Sequence, residues 1–157
     1  AELLETPPLE LDLKTLIMPA NDQRLGLETT ATAPEKEALW EQSGQELAEP
    51  VLDLGAIQFR DQHLCMGQIS RTLSDLDATI NADTSEAWLR EEIGTLLPAL
   101  KDVPAKWHRC VIAFSPHQQS IIGKLENYER IHLFSGFTSP LLFAPVLARQ
   151  FAAEVCL

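Results

Sequence analysis

Two histidines and a cysteine in the last third of the chain are the side chains best suited by type and spacing to chemistry. His108 and Cys110 alternate along a β-favouring run, which places them on one face of a strand, and His117 follows in a loop. An imidazole and a thiol can act as base and nucleophile or can bind a metal, but no fourth ligand is apparent, so no metal centre is predicted. His117 is a candidate proton-handling or substrate group, because histidine ordinarily titrates near neutrality; a solvated loop histidine is the preferred interpretation.

The composition limits the class of protein and its partners. The chain has 157 residues, of which 45% are hydrophobic, so it is long enough for one domain with its own core and too apolar to be disordered. Its net charge of -11 repels phosphate backbones and anionic lipids, and no apolar run approaches the roughly 18 residues of a membrane span, so neither nucleic acid nor membrane is an expected partner. Three cysteines without a Cys-x-x-Cys, and no secretory signal, predict a cytoplasmic location.

Hydrophobic patterning predicts an α+β fold, in which an antiparallel sheet with flanking helices is followed by a strand, a loop and a helix. The expected elements of the first part are strands at 9–18 and 24–28, a capping-box helix at 32–47, a hairpin of 51–60 with 63–70, and a helix after Asp83. Those of the last part are strands at 109–114, 121–123 and 130–134 and a helix at 141–154. Alternation along the hairpin puts Met66, Gln68 and Ser70 on one face and Cys65, Gly67 and Ile69 on the other.

Three stretches of the chain are similar to one enzyme family. Residues 115–123, SPHQQSIIG, are similar to the family pattern Thr-Pro-Asp-Gly-x-Pro-x-Ile-Gly, with His117 in place of Asp and Ser120 in place of Pro. Residues 131–155 resemble a strand, a glycine-containing loop and a helix of that family, and the order of elements over residues 9–100 is similar to its antiparallel substrate-binding domain. By these features the chain resembles FAD-dependent oxidoreductases of the D-amino-acid, glycine and sarcosine oxidase superfamily, in which the N-terminus of that helix lies against the flavin ring.

The resemblance implies that this chain is the C-terminal portion of such an enzyme. Residues 1–106 would form the substrate-binding-like domain, and residues 107–157 the last segment of the flavin-binding domain. The seven glycines include no Gly-x-Gly-x-x-Gly turn, so the nucleotide-binding half is an expected partner supplied by other polypeptide. FAD is then expected in the parent protein, whereas this chain alone is expected neither to bind FAD tightly nor to turn over.

The resemblance also implies which residues meet the cofactor. A helix N-terminus carries about half a positive charge, which favours the negative charge of reduced flavin, and glycine lets a loop approach a planar ligand closely. The implied cofactor-binding residues are Gly123, Gly136, Phe137, Thr138, Ser139, Pro140 and Leu141.

For the substrate, the resemblance implies an amine or an amino-acid-like molecule, with Gln68, Ile112 and His117 on the substrate side. Many amino-acid oxidases of the family bind the substrate carboxylate with an arginine at the position of Ile112, so carboxylate binding of the usual kind is not expected here. Arginines elsewhere could substitute for it: Arg24, Arg71 and Arg109. Hydride transfer to flavin requires no side-chain base, so no catalytic residue is assigned.

Two alternatives compete with the oxidase hypothesis. The chain could be an autonomous α+β binding or oligomerisation domain, forming a homodimer through an exposed apolar surface. It could also belong to a catalytically degenerate flavoprotein, in agreement with Ile112 and His117. Flavin absorbance separates the first alternative from the oxidase, and amine-dependent release of peroxide excludes the second.

Overall fold

The computed structural model describes residues 1–115, 119–137 and 139–155, which form an α+β structure with a four-stranded antiparallel sheet and flanking helices. The strands of this sheet are β1 (Glu2–Glu5), β2 (Val51–Gln58), β3 (Leu64–Ser70) and β4 (Lys106–Arg109), in the order β2-β3-β1-β4. The helices are α1 (Gln23–Ala31), α2 (Glu37–Trp40), α3 (Ala82–Leu96) and α4 (Pro140–Val155). A separate two-stranded sheet contains β5 (Ile121–Lys124) and β6 (His132–Ser135).

One face of the large sheet forms the hydrophobic core against α3. Each of the following core side chains is at most 1% exposed: Leu4, Leu64, Met66, Ile69, Leu89 and Ile93. The N-cap residue of α3 is Asn81, whose side-chain oxygen accepts a 3.0 Å hydrogen bond from the Thr84 N–H. This confirms the helix predicted after Asp83. Because α3 covers this face, it is the opposite face of the sheet that borders the cavity described below.

The predicted hairpin is confirmed, since β2 and β3 pair as antiparallel neighbours. The Phe59 N–H donates to the His63 carbonyl, which leaves a three-residue loop between them. Its last residue, Gln62, has a φ of 69°, the left-handed conformation that such loops place next to the second strand.

The expected division of the hairpin's side chains between two faces is partly wrong, because β3 is irregular at Gln68. Between two successive residue pairs, β1 advances by one residue, from Glu2 to Leu3, whereas β3 advances by two, from Ile69 to Gly67. Gln68 is therefore left without a partner residue in β1. The register with β2 shifts at the same place. A bulge of this kind re-aims the side chains beyond it. Met66 and Ile69 therefore share the core face, and Gln68 does not lie with Met66.

The N-terminal third differs most from the expectation. The predicted strand at 9–18 is wrong: β1 lies earlier, and only Ile17 forms a bridge, to Ala56. The predicted strand at 24–28 is part of α1. The predicted helix at 32–47 is wrong because the Thr32 N–H and hydroxyl both bond to the Glu28 carbonyl, so Thr32 ends α1 instead of starting a helix. Only a 3-10 turn at Pro34–Lys36 and the short α2 follow.

The C-terminal elements follow the prediction more closely. β5 and β6 confirm the strands expected near 121–123 and 130–134, and α4 confirms the final helix. The strand expected at 109–114 is wrong in its bounds, because β4 ends at Arg109. The expected domain boundary between residues 106 and 107 falls within β4. Phe151 of α4 packs on Phe134 of β6, with ring centroids 5.2 Å apart. None of the described helices combines the length and apolarity needed to cross a membrane.

Candidate functional site

The open face of the sheet, the start of α1 and the start of α4 border an open cavity of about 550 Å³, here called the Leu141 cavity. Leu3 and Gln68 line it from the sheet, Met18 from the segment before α1, and Ser139 and Leu141 from the start of α4. Its volume lies within the roughly 300–1,000 Å³ usual for small-molecule sites. The cavity therefore joins a residue expected on the substrate side, Gln68, to two expected on the cofactor side.

The Leu141 cavity owes its shape to two glycines of the sheet. A Cβ on Gly55 would lie 2.7 Å from the Ile17 carbonyl oxygen, so only glycine lets the segment at 16–19 cross β2 this closely. That crossing is held by two backbone hydrogen bonds between Ile17 and Ala56, of 2.9 and 3.1 Å. Gly67 has a φ of 151°, and its Cβ would lie 3.1 Å from the Leu3 Cβ. Side chains at these positions would displace the walls of the cavity.

A second, smaller cavity of about 280 Å³ lies between α1, α2 and the segment after β4, and is here called the Glu28 cavity. Gln68 and Arg24 line both cavities, so the two adjoin at these side chains. The Gln68 side-chain NH2 donates a 3.0 Å hydrogen bond to the Ser70 hydroxyl, which orients the amide. Ile112 also lines the Glu28 cavity and is 49% exposed. The structure thus brings Ile112 to the same cavity as Gln68.

The loop before α4 contains a glycine, Gly136, in the left-handed backbone conformation that favours this residue type. Gly136 has a φ of 74°, and its Cβ would lie 3.2 Å from the Cβ of the buried Ser115. The loop therefore packs tightly on the segment that precedes β5. At the helix start, the Ser139 carbonyl accepts hydrogen bonds from the N–H groups of Leu142 and Phe143, both 3.1 Å long. Pro140 occupies the first helical position, which suits proline because no hydrogen bond is lost there.

The remaining expected cofactor residues lie apart from the two cavities. Phe137 packs on Phe134, with ring centroids 4.6 Å apart, and Gly136 packs against Ser115. Gly123, in β5, has a φ of 130° and no heavy atom within 4 Å of its hypothetical Cβ, so nothing described approaches it closely. Two expected residues, His117 and Thr138, lie outside the described residues.

The three arginines near the cavities have different partners. Arg71 donates to the buried Glu2 at 2.6 Å and to Glu46 at 2.8 Å. Arg109 donates to the carbonyls of Leu76 and Ala78, both at 2.7 Å. These hydrogen bonds hold the side chains of Arg71 and Arg109 in place.

Arg24 is the arginine that lines both cavities. Its Nε lies 3.8 Å from Glu28 Oε1, an ion pair within α1. On the other side, burial raises the pKa of Asp53, which lines the Leu141 cavity, and the charge of Arg24 opposes this rise. Arg24 thus acts electrostatically on both cavities.

The histidine and thiol candidates are not assembled into a reactive pair. His108 Nε2 lies 3.2 Å from Glu5 Oε2, whereas Cys110 is exposed on the chain beyond β4, with its carbonyl bonded to the N-terminal amine. Across residues 1–115, 119–137 and 139–155, no three His, Cys, Asp or Glu side chains are grouped to hold a metal ion.

Sequence reasoning missed two residues that line the Glu28 cavity, Glu28 and Thr72. Glu28 was missed because residues 24–28 were expected to form a strand and belong to α1. The four-residue spacing from Arg24 to Glu28 is typical of an ion pair on a helix, and it is the signal that could have indicated α1. Thr72 follows β3 directly and carried no recognisable signal.

No protein-family model, curated protein or solved structure matches this chain.

Proposed function

We propose that this chain is the substrate-side and C-terminal portion of an FAD-dependent oxidoreductase that oxidises an amine or amino-acid-like substrate. The family it resembles is the D-amino-acid, glycine and sarcosine oxidase superfamily. One observation carries the proposal: Ser139 and Leu141, expected near the cofactor, share a cavity with Gln68, expected near the substrate. These expectations came from segments about 70 residues apart in sequence.

The Leu141 cavity has features that suit a planar aromatic ring. The side chain of Leu141 is 96% exposed and offers an apolar surface at the start of α4. Gly55 and Gly67 let the segment at 16–19 and Leu3 pack close to the sheet, which sets the shape of the cavity wall. The N-terminus of α4 favours negative charge on a ring placed beside it. FAD, when bound, would supply the acceptor for the hydride removed from the carbon that bears the amine.

The side chains of this chain would then position the substrate and exclude water. Gln68 lies at the junction of the two cavities, held by its bond to Ser70, where it can orient a substrate group near the ring. Once covered by the nucleotide-binding half proposed for the parent, the apolar lining at Leu3, Met18 and Leu141 would keep water from the reacting carbon. Positioning of this kind accounts for much of the rate enhancement in reactions that need no side-chain base.

The exposed surface of α4 supports a larger parent protein. No residue of this helix, which is described throughout, is buried. Its exposed large hydrophobic residues are Leu141, Leu142, Phe143, Val146 and Val155. An apolar surface of this kind is normally covered in a folded protein. We propose that the nucleotide-binding half of the parent covers it. The free thiols of Cys65 and Cys110 agree with the cytoplasmic location proposed for that parent.

The proposal is tested by the flavin content of the protein encoded by the complete reading frame that contains this chain. We expect this protein to purify with bound FAD and to release peroxide on addition of an amine. Leu141→Glu is expected to lower the FAD content, because it places a negative charge in the Leu141 cavity beside the ring. Leu96→Glu is the matched control, since Leu96 is exposed on α3 and far in sequence from α4. A folded parent without flavin would contradict the proposal, and bound FAD without amine-dependent peroxide would indicate a degenerate flavoprotein.

The exposed apolar surface of α4 also favours a second candidate, an autonomous binding domain that dimerises through this helix. Analytical ultracentrifugation of the chain distinguishes the two. A homodimer that Val146→Glu dissociates, together with a parent that holds no flavin, would favour the second candidate.

A further inference from the structure

Two residues that line the Glu28 cavity carry a buried polar atom that has no hydrogen-bond partner. Three side chains in the described part of the chain carry such atoms: Glu28 Oε2, Thr72 Oγ1 and Ser85 Oγ. Two of the three, Glu28 and Thr72, line this one cavity. Leaving a polar group buried and unpaired is costly, so their convergence on one cavity indicates a ligand that would satisfy both.

Glu28 is placed to bind a positively charged group. The residue is 9% exposed, and burial raises the pKa of its carboxyl group, while the charge of Arg24 opposes that rise. Its distance of 3.8 Å from the Arg24 Nε exceeds that of a hydrogen bond. Oε2 therefore keeps its capacity to accept a hydrogen bond from a ligand.

Thr72 and two aromatic rings complete the surroundings. Thr72 is 2% exposed, and its hydroxyl can accept a hydrogen bond from the same ligand as Glu28. Trp40 and Phe114 line the same cavity, with ring centroids 5.8 Å apart and planes inclined at 58°. The indole N–H of Trp40 donates to the Ala31 carbonyl at 3.1 Å, which holds the ring in place. Aromatic faces of this kind attract alkylammonium groups.

The positive groups that line the cavity all have partners. Arg24 forms an ion pair with Glu28, and the N-terminal amine of Ala1 donates to the Cys110 carbonyl at 2.8 Å. Arg71 is bonded to two carboxylates, and Arg109 is bonded to two carbonyls and lies in the field of Asp75, whose pKa is lowered by the Ser43 hydroxyl and, to a smaller extent, by Arg109. Ile112 gives the cavity an apolar side chain where the resemblance would place a carboxylate-binding arginine. A cationic ligand therefore fits the unsatisfied groups better than an anionic one.

We infer that the Glu28 cavity binds an alkylammonium ion, with Glu28 Oε2 and the Thr72 hydroxyl accepting its N–H groups and Trp40 and Phe114 packing on its carbon atoms. The binding itself requires no flavin. That this ion is the oxidised substrate rests on the proposed function, because Gln68 and Arg24 connect the cavity to the Leu141 cavity.

The test is a titration of the ¹⁵N-labelled 157-residue chain without FAD. The ligands are n-butylammonium chloride, sodium butyrate and n-butanol, which share a four-carbon chain and differ in the charge of the polar end. We expect butylammonium to shift the indole N–H signal of Trp40 and to leave that of Trp88, on α3, unchanged. Butyrate and butanol are expected to bind at least about tenfold more weakly, the ratio that one charge-assisted hydrogen bond supplies.

Variants identify the groups responsible. Glu28→Gln is expected to weaken butylammonium binding about tenfold or more, whereas Glu91→Gln, which removes one exposed charge from α3, leaves it unchanged. Thr72→Val keeps the shape of the side chain and removes only the hydroxyl, so it keeps the inference testable if Glu28→Gln fails to fold; we expect it to weaken binding several-fold.

Two results would overturn the inference: tighter binding of butyrate than of butylammonium, or unchanged butylammonium affinity in folded Thr72→Val and Glu28→Gln. The titrations use no FAD. A parent protein without flavin would therefore contradict the proposed function and would not affect the inference about the Glu28 cavity.

Discussion

Gly55 lies where the segment around Ile17 crosses the open face of the sheet, and Gly55→Ala tests whether that crossing shapes the Leu141 cavity. The added Cβ would meet the Ile17 carbonyl oxygen at 2.7 Å and the Gly67 carbonyl oxygen at 3.4 Å. Both are backbone atoms, so no side-chain rotation relieves the contact. Overpacking of this kind costs about 1–3 kcal/mol, and the two hydrogen bonds that join Ile17 to Ala56 would be strained as well.

We therefore expect Gly55→Ala to lower the free energy of unfolding by about 2 kcal/mol. In urea, with a slope of about 2 kcal/mol/M, the unfolding midpoint measured by circular dichroism falls by about 1 M. Gly26→Ala is the matched control. Gly26 lies within α1 with no atom within 4 Å of its Cβ position, so the same substitution should raise stability by up to about 1 kcal/mol. An unchanged or higher midpoint for Gly55→Ala would refute the close crossing at Ile17.

Three further predictions concern single side chains. Asn81→Ala removes the N-cap of α3 and should cost about 1 kcal/mol in urea unfolding, whereas Asn81→Asp should retain most of the stability; equal losses would contradict the capping role. Thr72→Val removes a buried unpaired hydroxyl and should raise the unfolding temperature, and a clear decrease would show that this hydroxyl is bonded in the free protein. Burial raises the pKa of Glu28 in the folded chain, so the folded state binds the proton more tightly than the unfolded state does. The free energy of unfolding therefore falls as the pH rises from the ordinary glutamate pKa through the higher pKa of the folded chain. In urea unfolding across that pH range, Glu28→Gln should show a smaller loss than the unmodified chain, and identical profiles would contradict the assignment.

The elements that sequence patterns predict well are those whose signals are local. The β2–β3 hairpin combines two β-favouring runs with a short polar loop, and α3 and α4 have apolar stripes bounded by an N-cap or a proline. In contrast, β1 has four residues and is a strand because β3 and β4 pair with it on both sides. Nothing within Glu2–Glu5 itself specifies those partners.

The alternation at Leu9, Leu11 and Leu13 illustrates the opposite error. These leucines do pack against the core, as a half-buried strand would, but the segment pairs with no strand except at Ile17. Periodicity reports burial, and here the burial comes from an extended segment lying over the core.

The candidate site could be predicted only in part. Ser139 and Leu141 are implied by the resemblance of residues 131–155 to the oxidase family, and Gln68 was a candidate from its place on the hairpin. Their meeting in one cavity depends on the bulge at Gln68 and on the crossing at Gly55, both set by contacts between distant segments. Glu28 depends on α1 being a helix, which Gly26 and two threonines made hard to recognise.

The most direct measurement of the central claim is the distance between a bound flavin ring and Leu141 in a crystal structure of the FAD-loaded parent protein. The proposed function predicts that the ring occupies the Leu141 cavity, with ring atoms within about 4 Å of the Leu141 side chain and the start of α4 beside it. A flavin ring bound elsewhere, with the Leu141 cavity filled by protein side chains, would contradict it.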